Sequence, residues 1–255
     1  MNSAVDLNAD VGESTGAQRY GDDEGVMPHI TSANIACGFH AGDPGVMRAT
    51  VALARTHGVA VGAHPGLHDL DGFGRREMAI EPAEVEDLVA YQVGALAGVA
   101  AAQGVRLAHV KPHGALYNMA ARQRPLADAI VRAMRAVDPS LMLFGLANSE
   151  LVRAARDAGV AVANEAFADR GYLANGELAP RGAPGGVVSD VDAVLARAGS
   201  MVADQSVVAI DGARVSLTVD TLCVQGDTPG AAELARRLRA ALHDKGITVR
   251  PPAPR

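Results

Sequence analysis

Short β-type runs alternate with amphipathic helical stretches along all 255 residues, and most of the runs end in an ionisable side chain. That rhythm restricts the chain to α/β architectures built on a parallel sheet. Runs at 5–10, 30–39, 59–66, 108–113, 141–146, 160–166 and 222–227 read as strands. Runs at 207–210 and 214–219 flank Asp211-Gly212-Ala213 as a hairpin. Helical periodicity fills 44–57, 81–103, 116–137, 149–158, 187–203 and 229–245. Asp43 is placed to cap the first of these helices, with Pro44 in its first turn and Gly58 beyond its end. No shift in composition divides the chain, so residues 1–255 are expected to form one domain.

Sequential βα units in this number either close into a barrel or form an open sheet. Asp10, His40, His64, His113, Asp169 and Asp227 follow six different strands. A barrel gathers all such ends at one mouth, whereas an open sheet strings them along an edge. The spread of polar exits therefore favours a barrel.

Within that frame, residues 108–118 stand out. His109, Lys111 and His113 alternate along an extended segment and so project to one side. Parallel strands are ordinarily apolar on both faces. Either this one faces a polar cavity or it is not a strand, and the cavity is the expectation. Asp6, Asn8 and Asp10 alternate in the same way, with Glu13 in the turn that follows; an exposed edge strand is the alternative. The charged stretch 67–78 reads as a long loop over one end of the sheet. Residues 171–186, rich in Gly and Pro, are too long for a routine connection and read as a lid.

Composition removes several classes of function. A net charge of −6, 3% aromatic residues and the lack of a basic run argue against nucleic acid as a partner. Residues 1–6 carry no signal-peptide pattern, and the most apolar window, 93–102, is half the length a bilayer requires. A soluble cytoplasmic protein with no membrane partner is expected. Cys37 and Cys223 read as reduced, buried filler.

No phosphate-binding or dinucleotide Gly loop occurs, nor a Gly-x-Ser-x-Gly elbow. What remains is carboxylate and imidazole: Asp6, Asp10, Glu13, His64 and His113. Such a set suits hydrolysis by general acid and base, either directly or around a divalent metal. Asp10, His64 and His113 form a reasonable metal trio, although they come from separate strands without the tight local spacing of a metal motif. Lys111 offers a fixed positive charge to an oxyanion or a phosphate. It could equally pair with Asp10 or Glu165, and both can hold at once. Arg170 and Arg181, on the suspected lid, suit a carboxylate or are solvated loop residues.

The motifs DLNADVGE (6–13), SANIACGFHAGD (32–43), GAHPG (62–66) with GFGRR (72–76), and VKPHGALYN (110–118) follow one another in order, continued by FADRGY (167–172) and GDTP (226–229). This succession resembles the LamB/YcsF family over essentially the whole chain. The resemblance implies a seven-stranded (β/α) barrel of the glycoside hydrolase/deacetylase type. It implies opening of the lactam of 5-oxoproline to L-glutamate, coupled to hydrolysis of ATP with Mg2+, in company with two further 5-oxoprolinase subunits, B and C. Asp10, Glu13, Lys111 and His113 are then the catalytic candidates, with Lys111 steadying the amide oxygen or its phosphate and Asp10 or His113 activating water. Asn8, His40, Asp43, Tyr117, Glu165, Asp169 and Arg170 are the candidates for holding substrate. The family usually has His where Gln225 stands, and Gln can accept a hydrogen bond but carry no proton. Competing readings are a free-standing metal-dependent deacetylase or amidohydrolase, and a non-catalytic scaffold within the complex.

Overall fold

The computed structural model describes residues 4–16, 18, 20–225 and 230–253. Among them, strands β1 (Ala4–Val11), β2 (Ser32–Ala36), β3 (Ala60–His64), β4 (Leu107–Val110), β5 (Met142–Leu146), β6 (Val162–Ala166) and β9 (Thr221–Val224) pair side by side in parallel, and β9 pairs back onto β1. Seven strands thus close into the barrel expected from the polar exits. Sequence order and spatial order agree except between β6 and β9. There the chain makes an excursion through helix α7 (Val191–Asp204) and an antiparallel hairpin, β7 (Ser206–Val208) with β8 (Arg214–Ser216).

Helices α1 (Asp23–Val26), α2 (Pro44–His57), α3 (Pro82–Ala101), α4 (Gly114–Arg122), α5 (Arg124–Val137), α6 (Glu150–Asp157) and α8 (Ala231–Asp244) complete the described helical elements, and the short β10 (Thr248–Val249) pairs with β1. In α2 the apolar spacing buries Met47, Val51 and Ala54. Asp43 caps its start, accepting from the N–H groups of Gly45 and Val46, and Gly58 ends it at φ +66°. The sequence stretch 116–137 reads as one helix, but the structure has two, broken at the extended residue Gln123. Pro125, in the first turn of α5, has no N–H to continue a helix from α4, so the chain restarts there. Asp190 caps α7, which begins four residues later than the periodicity suggests. The expected start of the last helix, Pro229, and the strand exit Asp227 lie outside the described residues. No described helix is long and apolar enough to cross a membrane.

The apolar core lies between barrel and helices: Leu7, Ile35, Val61, Ala63 and Val110 from the strands meet Val93, Leu96, Leu116, Ile130 and Met134 from the helices. The barrel axis is different. The other face of most strands carries polar residues that satisfy one another in layers, while β5 contributes Met142 and Phe144 there instead. Near the N-terminal end, Asp6 accepts hydrogen bonds from the hydroxyls of Thr31, Ser32 and Thr221. One layer up, Asn34 donates to Asn8, and Asn8 donates to Glu165 and Thr221. His109 packs here too, its Nε2 2.7 Å from the Asn34 side-chain oxygen and its ring stacked on Phe144 at 4.0 Å. The polar alternation of β1 and β4 is therefore an inward-facing pattern, and neither strand is a solvated edge.

Candidate active site

The third layer opens into a cavity of about 400 Å3 at the C-terminal mouth of the barrel. Asp10, Glu13, His64, Lys111, His113 and Tyr117 line it, and Arg170, Arg181 and Gln225 border it from the lid side. Residues 177–181 of the expected lid also form part of the wall.

Lys111 is the hub. Its ammonium is buried, donates to Asn8 Oδ1 at 3.1 Å and Asp10 Oδ1 at 2.9 Å, and lies 2.8 Å from Glu165 Oε1. The Cys223 sulfur sits 3.1 Å away. Burial alone would favour the neutral amine, but Asp10 and Glu165 outweigh it and hold Lys111 well above the usual lysine range. Burial likewise pushes the Asp10 carboxyl up, yet His64 and Lys111 prevail and keep it well below the ordinary carboxylate range. Both groups are charged at neutral pH. Tyr117 donates to Glu165 Oε2 at 2.7 Å, and its phenol is pushed well up by burial and by that carboxylate.

The histidines form a second cluster. The His64 and His113 rings meet edge to face, with His64 Nε2 3.0 Å from His113 Nδ1. His40 stacks flat on His113, centroids 3.7 Å apart. Glu13 Oε1 is 3.5 Å from both His40 Nε2 and His113 Nδ1. Burial lowers His113 to about 3, and burial with the neighbouring imidazoles takes His40 well below its ordinary value. These two rings are neutral, ligand-type imidazoles. One donor atom from each of Glu13, His40, His64 and His113 lies within 4.8 Å of the others, a set that could hold a metal ion. Asp10 Oδ2, expected in the metal trio, stands 3.5 Å from His64 Nε2 but belongs to the Lys111 network.

The remaining sequence candidates are distributed differently. Asn8 and Glu165 lie one layer below the cavity and reach it through Lys111. His40 is packed behind His113. Asp43 caps α2 and does not border the cavity, and neither does Asp169, whose buried Oδ1 has no hydrogen-bond partner among the described residues and whose carboxyl is pushed up by burial. Arg170 donates to the carbonyls of Gly186 and Ala179, fastening the lid at its base.

The profile of the LamB/YcsF family matches residues 5–255. The chain belongs to the LamB/YcsF family. It is 58% identical to the 5-oxoprolinase A subunit of Bordetella parapertussis, over 98% of this chain and 99% of that one, and 54% identical to the 5-oxoprolinase A subunit of Bacillus subtilis, over 96% and 95%. The crystal structure of the lactam utilization protein from Thermus thermophilus superimposes with a TM-score of 0.92 at 51% identity, covering 97% of this chain and 99% of that one.

In this LamB/YcsF chain Gln225, where the resemblance leads one to expect His, accepts from Arg181 Nη2 at 2.8 Å and so ties the lid to the exit of β9. Arg75 and Arg122 also line the cavity, and Asn34 donates to both Asn8 and Asp10, although none of the three is a candidate from the sequence. Arg75 stands out in the sequence only as part of GFGRR. Asn34 sits at an inward position of β2 opposite Asp10 in the β1–β2 register, a placement that its sequence neighbours do not mark.

Proposed function

We propose that this chain opens the lactam ring of 5-oxoproline (pyroglutamate) to L-glutamate, coupled to ATP hydrolysis, as the A component of a 5-oxoprolinase complex with subunits B and C. The observation that carries the reading is the Lys111 ammonium, held charged by Asp10 and Glu165 at the wall of a cavity that Arg170 and Arg181 also border. The names of relatives that align over nearly their full lengths point to the same substrate.

A five-membered lactam is a resonance-stabilised amide. Transfer of the γ-phosphoryl group of ATP to the amide oxygen releases ADP and leaves an imidate phosphate. Water adds to its carbon, and the ring C–N bond breaks as the nitrogen takes up a proton. The resulting acyl phosphate is hydrolysed to glutamate and phosphate. Lys111 Nζ steadies the oxygen that carries the growing negative charge or the phosphoryl group. Asp10, ionised and bordering the cavity, accepts the proton of the attacking water. His113 is the weaker candidate for that step, because its nitrogens already face His64 and the Phe73 carbonyl. Asp10 then returns that proton to the ring nitrogen, and Glu13 is the second carboxylate at the cavity wall. Arg170 and Arg181 receive the substrate carboxylate. Asn8, Tyr117 and Glu165 position Lys111, while His40, Asp43 and Asp169 support the walls from outside.

In this reading the complex binds MgATP, and its γ-phosphoryl group reaches the lactam oxygen beside Lys111. The same reading takes residues 1–255 as one domain and the cytoplasm as its compartment, where ATP is supplied. The test is ATP-dependent glutamate release by the assembled complex carrying Lys111→Met or the charge-retaining Lys111→Arg. Loss with Met, with the fold intact by circular dichroism and with Arg retaining part of the activity, is expected. Unchanged release with Met would overturn the assignment. Turnover by the chain alone without ATP would favour a free-standing amidohydrolase. Turnover unaffected by neutralising Asp10 and Glu13 together would favour a scaffold.

A further inference from the structure

The His64–His113 contact has the wrong atoms facing each other. His64 Nδ1 is 2.7 Å from the Lys111 carbonyl oxygen, and His113 Nε2 is 2.8 Å from the Phe73 carbonyl oxygen. A carbonyl only accepts, so both of these nitrogens carry the ring hydrogen. With both rings neutral, the other nitrogens, His64 Nε2 and His113 Nδ1, face each other lone pair to lone pair across 3.0 Å, with Asp10 Oδ2 3.5 Å from the first. Lone pairs at that separation repel unless a cation stands against both. Beside them lies the His40 ring, 1% exposed, with neither nitrogen hydrogen-bonded among the described residues. Leaving a buried polar ring unsatisfied is costly, and it persists where something else satisfies it.

We infer that Glu13, His40, His64 and His113 bind one divalent transition-metal ion, of the zinc or manganese class, at the edge of the barrel mouth. In a tetrahedral site with bonds of about 2.0–2.1 Å, neighbouring donors stand about 3.3 Å apart. The pairs His64–His113, Glu13–His113 and Glu13–His40 are already 3.0, 3.5 and 3.5 Å apart, and His40, stacked parallel on His113, tilts out of that stack to turn its Nε2 to the same ion. The far nitrogens of His64 and His113 donate to backbone carbonyls, the outer-shell arrangement that fixes which nitrogen faces a metal. Three imidazoles and one carboxylate favour a transition metal over Mg2+ or Ca2+, which prefer all-oxygen cages. Asp10, paired with Lys111, borders the set without joining it. The inference stands whether or not the substrate is a lactam.

The experiment uses the full chain stripped with a chelator and titrated with Co2+ or Zn2+ alone. One equivalent per chain by calorimetry and elemental analysis, a visible d–d spectrum with Co2+, and a raised melting temperature are expected. His40→Gln and His113→Gln should each weaken Co2+ binding more than about 100-fold, beyond the loss typical of an outer-shell change. Binding unchanged in both variants would overturn the site. So would the absence of a Co2+ spectrum in the wild-type chain, which needs no variant to fold; a proton shared between His64 and His113 would then account for the contact.

Discussion

Gly62→Ala gives a test whose sign alone is informative. Gly62 lies in β3, within the barrel wall, and its φ is not in the left-handed region. On backbone grounds alanine should stabilise such a position by roughly 0.5–1 kcal/mol, through the entropy of the unfolded chain. The structure demands the opposite. A Cβ built on Gly62 would lie 2.1–2.3 Å from Nε2, Cδ2 and Cε1 of His109, whose ring cannot retreat because Phe144 stacks on its other side at 4.0 Å. The register of β3 against β4 already shifts at this point, between Val61 and Gly62. Overpacking of this kind costs about 1–3 kcal/mol, and tearing His109 from Asn34 leaves a buried acceptor unmet at about 1–3 kcal/mol more. A loss of about 4 kcal/mol lowers the melting temperature of a chain this size by about 8–16 °C. The assay is thermal unfolding followed by circular dichroism for Gly62→Ala, His109→Ala and the double variant. The double variant should recover a clear part of the loss, because the colliding ring is gone. A melting temperature for Gly62→Ala at or above wild type, or a double variant no better than the sum of the singles, would refute the polar packing of the barrel axis.

Asp6 is pushed up to about 6 by burial, against the pull of three hydroxyl donors, from an ordinary value of 3.8. The folded state thus binds its proton more tightly than the unfolded state, so this carboxyl contributes stability below about pH 4 that is lost as pH rises to about 6, worth about 3 kcal/mol. Urea unfolding of wild type and Asp6→Asn across that range should give curves that diverge between pH 4 and 6 and run parallel above it; parallel curves throughout would count against the assignment. Asp10→Asn should lower ATP-dependent turnover of the complex by about 100-fold or more, since it removes the base while Glu165 still partners Lys111; turnover within threefold of wild type speaks against it. Arg181→Ala should raise KM for 5-oxoproline roughly 10-fold with an unchanged melting temperature, because Arg181 is exposed and bonds to the Gln225 side chain at the lid edge rather than to the core. A fall in kcat at constant KM would assign Arg181 to chemistry instead.

Much of this molecule is legible without coordinates, for local reasons. The bounds of α2 follow from Asp43, Pro44 and Gly58, each of which acts within a few residues of itself. The polar period-two pattern of β1 and β4 announces an inward-facing polar surface, since apolar residues at 7, 9 and 11 leave the other face no second core to fill. Where the chain's chemistry is long-range, the sequence is silent. Nothing near Asn34 says that it will meet Asp10 and His109, because that depends on the β1–β2, β2–β3 and β3–β4 registers. The grouping of Glu13 and His40 with His64 and His113 depends on loops whose course is set by tertiary packing. Asp43 and Asp169 illustrate the reverse: both follow strands, yet a helix cap accounts for one, and the other is buried away from the cavity wall.

The pairing of β9 with β1 also has a consequence in time. The side chains that cradle Lys111 come from both extremes of the polypeptide, with Thr221 bonded to Asn8 and Asp6 across as many as 215 positions and Cys223 set against the ammonium. A nascent chain emerging from the ribosome carries the histidines and the lysine long before it carries their closing partner. Until the final barrel strand is synthesised and docks, those charges have no interior to occupy, so a product truncated before residue 221 lacks the chemistry along with its last strand.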